Sequence, residues 1–315
     1  MLSLILFQRI AELFVIIFFG WLIVKVGILK SEDSRCLSMI LLYIIAPSVF
    51  FNAFQIERTP EVLAMMAFSA VLALISNVLL ILLGRLSAKL LHLDVVEEAS
   101  IIYPNSGNMA IPLVSAIFGT EWVVFVTLYN MIQNLFVWTH CRMFVSGERK
   151  VSLRKILLNI NILAILAGAL MFFLNIQLPG IVHNALTSVG NMIGPAAMII
   201  VGMLMADLKM EDLRAYRRIW KPTLFRLVVT LMLRLVVLPL ALVLLAKLLH
   251  ISALNPQGET LVMTALIPAF APAANVVAQF SQIYGRDAKY AGLINAVTML
   301  GCIVSMPLLI AVYQM

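Results

Sequence analysis

The sequence predicts an all-α integral membrane protein of ten transmembrane helices, arranged as a 5+5 inverted repeat with helices 4 and 9 broken. Three observations predict it. Of 315 residues, 63% are hydrophobic and only 12% charged, against about 25% charged in a soluble domain. The apolar residues come in long blocks, not in the narrow stripe of a helix that keeps one wet face. The basic residues then alternate between successive gaps, as a multi-span topology requires.

This composition excludes a soluble enzyme, a disordered chain and a disulfide scaffold. Mean hydropathy of +1.05 agrees. The net charge of +7 sits between apolar blocks, so topology explains it better than nucleic acid does. Cys36, Cys141 and Cys302 are odd in number and far apart, giving no disulfide framework and no CxxC metal motif. The first block runs past the length of a signal peptide without an A-x-A-like cleavage site, so it is read as a span.

Apolar blocks of about 20 residues fall at roughly 4–24, 37–56, 62–84, 97–118, 122–145, 156–174, 186–206, 224–249, 259–283 and 290–313. Odd-numbered gaps carry Lys25, Lys30 and Arg35; Arg85 and Lys89; Arg142, Arg149, Lys150, Arg154 and Lys155; Lys209, Arg214, Arg217, Arg218 and Lys221; Arg286 and Lys289. Even-numbered gaps hold Arg58 and Lys247 alone. Odd loops are therefore expected in the cytoplasm and both termini outside, in a multi-pass protein of the plasma (inner) membrane.

The GERKVSLRK stretch divides the chain into a first repeat over 1–145, a short cytoplasmic linker over 146–155 and a second repeat over 156–315. Five spans per half force the halves to cross in opposite senses, the geometry of secondary transporters. Aligning Phe118-Gly119 with Tyr284-Gly285 sets Glu121 opposite Asp287 and the Pro/Asn-rich stretches opposite each other. Pro47 in span 2 and Pro195 in span 7 form a further matched pair.

Pro104, Asn105, Ser106, Gly107, Asn108 and Pro112 do not suit an unbroken lipid-facing helix, because proline removes a donor and glycine and asparagine weaken the helix. Pro268, Pro272 and Asn275 repeat the pattern in span 9. Two broken helices near the midplane are expected, their N-terminal ends aiming backbone N–H groups at an anion. Asn105, Asn108 and Asn275 would add side-chain donors. The alternative is that the prolines only kink two packed helices. In span 5, Asn130 and Asn134 share a face with Gln133 one turn away; they line a polar cavity or bond neighbouring helices. Tyr129 accompanies them, and Asn295 and Thr298 stand comparably in span 10.

Arg234 lies on the order of 15 Å into span 8 at 1.5 Å per residue, either to attract an anionic substrate or to hold backbone carbonyls. Arg226 is nearer the cytoplasmic end and snorkels; Arg9 and Glu12 pair at i, i+3. No second acidic residue is expected inside a span, so no paired-carboxylate ion site is foreseen. His92, His140, His183 and His250 share no metal-ligand spacing, and no nucleophile, zinc or phosphate-loop motif occurs. The eighteen methionines read as packing filler.

At YPNSGNMAIPLVSAIFG the sequence resembles the auxin efflux carrier family, which includes the plant PIN-type carriers and bacterial malonate and malate permeases. Pro104, Asn105, Met109, Ile111, Pro112, Leu113 and Gly119 match the plant pattern, with Ser106 for its Thr and Ala110 for its Gly. Gln133, Trp138 and Thr139 fit the span-5 motif in part, and Gly20, Pro47, Arg234, Leu266-Ile267-Pro268 and MPLLIAVY extend the likeness along nearly the whole chain. The chain departs in the position of Pro272 and in lacking a long loop between spans 5 and 6, which fits a prokaryotic member.

The resemblance implies a fold like that of bile-acid symporters and sodium/proton antiporters, with helices 4 and 9 crossing at their broken centres. It implies a scaffold of spans 1, 2, 6 and 7, dimeric in many members, and an elevator-like transport domain of spans 3–5 and 8–10. The expected function is secondary transport of a small organic carboxylate anion held near Asn105 and the span-5 amides. No cofactor, catalytic residue, metal or nucleic acid is implied; the partners are the substrate anion, membrane lipid and a second copy of the chain. The competing reading is a substrate-sensing or channel-like protein, which would favour a continuous polar stripe.

Overall fold

A computed structural model describes residues 2–147, 158, 160–206 and 221–315. About 83% of the chain is helical, and no strand occurs among the described residues beyond one isolated bridge. Most of the expected linker, and the basic residues from Lys209 to Arg218, lie outside the described residues.

In chain order the helices are α1 (Leu2–Lys25), α2 (Ser34–Ile40), α3 (Ala46–Asn52), α4 (Pro60–Leu90), α5 (Val95–Ile102), α6 (Ser106–Phe118), α7 (Val123–Phe136) and α8 (Arg142–Ser146). There follow α9 (Ile160–Phe173), α10 (Gly180–Gly190), α11 (Ile193–Ala206), α12 (Lys221–Met232), α13 (Leu238–Leu248), α14 (Gly258–Phe270), α15 (Asn275–Ile283) and α16 (Ala288–Gln314). Among the described residues, three continuous helical runs are long and apolar enough to cross a bilayer: Ser31–Asn52, Pro60–Leu90 and Leu224–Leu248. Ala288–Cys302 and Val304–Gln314, bent by 50°, make a fourth if taken together. Other apolar stretches are interrupted into shorter pieces such as Ile160–Phe173 and Gly258–Phe270.

Local chemistry explains many of the boundaries. Asp94 caps α5, its carboxylate accepting from Val96 N at 2.8 Å and Glu97 N at 3.1 Å, while Glu97 accepts from Asp94 N at 2.8 Å. This reciprocal box satisfies three amides at the helix start. Asp287 accepts from Tyr290 N in the first turn of α16. The aligned pair Gly119 and Gly285 both hold positive φ, +108° and +68°, where a side chain would be strained. Wide π-type turns at Leu41–Ile45 and Leu233–Val237 precede Pro47 and Pro239. Each relieves the clash a proline makes with the turn before it.

Packing separates two compact units, each drawing on both halves of the sequence. The first contains Met1–Ala64, Ile111–Thr127 and Leu153–Arg214. Its backbone-level contact is α1 against α11: a Cβ on Gly20 would stand 2.2 Å from Ile199 O, and one on Gly202 1.9 Å from Ile17 O. Small residues that allow such approach drive helix association in lipid, where apolar burial alone does not.

The second unit contains Met65–Ala110, Leu128–Ser152 and Ala215–Met315. Its core joins α5, α8, α15 and α16 through Val96, Ala99, Ile102, Val145, Val277, Phe280 and Ile294. Outward-facing leucines, valines and phenylalanines recur along α4, α9 and α13, among them Leu82, Leu86, Leu166, Leu170, Phe173 and Leu244. Water would penalise so much exposed apolar surface; acyl chains do not.

Candidate functional site

The second unit holds two helix breaks that meet. Tyr103–Asn105 interrupts the path from α5 to α6, and Ala271–Ala274 interrupts the path from α14 to α15. The interruptions lie antiparallel: Asn105 N donates to Pro272 O at 2.7 Å and Ala274 N to Tyr103 O at 2.9 Å, bridging Pro104 and Ala273. Proline at 104 and 272 explains why each helix stops there. Pro112 falls inside α6 and Pro268 inside the last turn of α14, so neither stands in a break.

Each break is held by the long helix that follows it in the sequence. Gln133, on α7, donates from Nε2 to Pro104 O. Ser106 Oγ bonds Asn130 Oδ1 at 2.7 Å and also contacts Gln133 Oε1. On α16, Asn295 Nδ2 donates to Ala273 O, and Thr298 Oγ1 accepts from Ala273 N at 3.1 Å. Thr298 also donates to Asn295 O at 2.8 Å. Gln133 and Asn295 thus spend amide groups on holding backbone. Ser106 is the member of this network whose role the sequence did not signal beyond its place in the polar run.

Arg234 fastens the other side of both breaks. It is fully buried, and its Nε donates to Ala271 O at 3.0 Å and its Nη1 to Ile101 O at 2.9 Å. Nη2 donates to Ala269 O and, at 2.7 Å, to Ala271 O. These carbonyls end α5 and α14, so the guanidinium meets two negative dipole ends while its fork satisfies their stranded acceptors. Of the two readings of Arg234, the hydrogen bonds place it on carbonyls.

The positive ends remain. α6 and α15 both begin at the paired breaks, and their first amide groups lack partners within the helix. Asn105 is 8% exposed, and its Nδ2 is buried with no hydrogen-bond partner among the described residues. The same holds of the buried Tyr129 hydroxyl. Asn275 is half-buried at the first position of α15, and Asn134 is half-buried on α7. The Asn108 side chain lies outside the described residues. The site therefore brings together Asn105, Asn130, Gln133, Asn275 and Asn295, with Arg234 beneath them.

Two polar features escaped the sequence reading. Glu97, at the edge of the fourth apolar block, is buried in the first turn of α5, contrary to the expectation of no further acidic residue within a span. It accepts from Tyr290 Oη at 2.8 Å and pairs with Arg226 Nη1 at 3.8 Å. In the first unit, a cavity of about 510 Å³ is lined by Glu12, Asn52, Gln55, Glu121 and His183 among others. Asn52 Nδ2 donates to Thr187 there, while Asn52 Oδ1 and Gln55 Nε2 are buried with no partner among the described residues. Single amides in an apolar run gave no spacing by which to find it.

A helical chain with lipid-suited outer faces and polar, discontinuous helices inside one unit is a membrane protein of the transport class. The comparison with known families agrees. A family model described as "Membrane transport protein" matches residues 5–310, and the chain belongs to that family, which comprises auxin efflux carriers, PIN-like proteins and related permeases. Its members are membrane transporters, not enzymes. Among curated proteins, no relative is matched.

Proposed function

We propose that this protein is a secondary carrier that moves a small organic carboxylate anion, auxin-like or a dicarboxylate such as malonate or malate, across the plasma membrane. The single observation that carries this reading is the convergence of the N-termini of α6 and α15 on one paired break, beside the unpartnered Nδ2 of Asn105. Each helix start presents about half a positive charge with free N–H groups, and a carboxylate satisfies both. With Arg234 occupied by carbonyls, the anion is recognised by dipoles and amides, which release it more readily than a buried salt bridge would.

The rest of the reading is an elevator-type alternating-access carrier of ten spans in a 5+5 inverted repeat, with both termini outside. Its support is the helix–break–helix–glycine order that recurs at Gly119 and Gly285. The grouping of Met1–Ala64 with Leu153–Arg214 in one packed unit, which also takes in Ile111–Thr127 from spans 4 and 5, supports spans 1, 2, 6 and 7 as the scaffold and homodimer platform. A negative interior favours anion export by about 2.3 kcal/mol per charge per 100 mV, so import requires a cotransported cation.

The test is transport by purified protein in proteoliposomes, followed by charge movement on a solid-supported membrane and by uptake of radiolabelled acid. Malonate, malate, short monocarboxylates and indole-3-acetate are the probes. Saturable transport of one acid is expected, lost in Asn105→Ala while the variant still purifies as a folded species. Normal transport by Asn105→Ala overturns the site, and silence with every acid in both assays overturns the carrier reading in favour of sensing.

A further inference from the structure

The turn between α4 and α5 carries a feature outside the paired breaks. A cavity of about 480 Å³ opens there, lined by Arg85, Leu86, Lys89, His92, Leu93 and Glu98. Glu98 Oε1 stands 3.6 Å from Arg85 Nε, and the Arg85 side chain is 59% exposed. The carboxylate thus steadies the stem while the outer nitrogens stay open to solvent. Lys89 is exposed and has no ion-pair partner among the described residues. His92 holds the turn with φ of +51°, and its carbonyl accepts from Arg226 Nη2, which brings a second guanidinium, and a third cation, to the rim.

Below the cations the surface is apolar in a particular direction. Val71, Ile75, Val78, Leu82 and Leu86 recur every three or four residues along α4 and are all exposed. That spacing sets them on one face with Arg85 and Lys89. On α12, Phe225, Val228 and Met232 are exposed as well, but their spacing sets them on a different face of the helix from Arg226. An apolar track leading up to a basic notch matches an amphiphile with an anionic head. A soluble anion would use the notch and leave the track idle.

We infer that this notch binds the phosphate headgroup of an anionic phospholipid, with an acyl chain lying along α4. Arg85 and Lys89 hold the phosphate, and Leu82 and Leu86 hold the first methylenes of one chain. Basic pockets at helix ends recognise lipid headgroups by this combination of charge and adjoining apolar surface.

The test uses the purified full-length protein titrated with phosphatidylglycerol or phosphatidylcholine, with bound lipid counted by native mass spectrometry and melting followed in parallel. Inorganic phosphate and glycerol 3-phosphate serve as chain-free probes. One phosphatidylglycerol is expected to be held preferentially and to raise the melting temperature, with affinity falling about tenfold or more in an Arg85→Gln/Lys89→Gln double variant. Arg85→Lys/Lys89→Arg should retain it. Equal retention of phosphatidylcholine, undiminished binding by the neutralised variant, or loss in the charge-conserving variant overturns the inference. An equal melting shift from phosphate alone also overturns it, assigning the notch to a soluble anion.

Discussion

Replacing Arg234 with methionine removes four N–H···O contacts to three buried carbonyls, those of Ile101, Ala269 and Ala271. Each stranded carbonyl costs about 1–3 kcal/mol, so the three together cost roughly 3–9 kcal/mol before any compensation. The variant no longer buries a guanidinium, and that relief offsets several kcal/mol. A net loss on the order of 2–5 kcal/mol remains, equivalent to a fall in melting temperature of about 10 °C at about 2–4 °C per kcal/mol. Arg234→Lys keeps the charge and three donors but not the planar fork, so it should lose about half as much. The assay is thermal unfolding of purified variants in one lipid or detergent, with acid binding measured beside it. An Arg234→Met protein that melts as the parent does but binds its anion tenfold more weakly would refute the reasoning and make Arg234 a ligand.

Thr298 is predicted to act through its hydroxyl alone: Thr298→Val should strip Ala273 N of its acceptor, cost about 1–3 kcal/mol and weaken anion binding, while Thr298→Ser preserves both, as melting curves and binding titrations would report. Gly202→Val should fail more severely, since even a Cβ meets Ile17 O at 1.9 Å. Its outcome is read as loss of a monodisperse peak on purification, and a well-folded Gly202→Val would deny the close approach of α1 and α11.

The helical, membrane-suited character of the chain was legible in the sequence because a bilayer demands long apolar helices. The block between Pro104 and Asn108 announced a break through residues that cannot sustain a helix, and Pro272 announced its counterpart. Pro268 showed the limit of that logic. It ends up within α14, one turn before the break, where its missing N–H removes one bond of the helix without ending it. The work done by Gln133, Asn295 and Arg234 was less legible, because their partners are backbone carbonyls and every residue has one. A side chain that grips a ligand and one that grips Pro104 O look alike in a sequence. Glu97 escaped for a related reason: its partner Tyr290 is 193 residues away, and no local pattern connects the two.

The two backbone bonds that join Tyr103–Asn105 to Pro272–Ala274 also constrain how this protein can change over evolutionary time. The stretches lie in opposite halves of the gene, yet each supplies the other's missing ladder partner, so an altered turn in one is viable only if its counterpart accommodates it. Grafting the stretch around Pro104 from a relative should yield a misfolded chimera, and restoring the donor's stretch around Pro272 should rescue it. Held together in this way, the two stretches form a single heritable unit, free to diverge only in step.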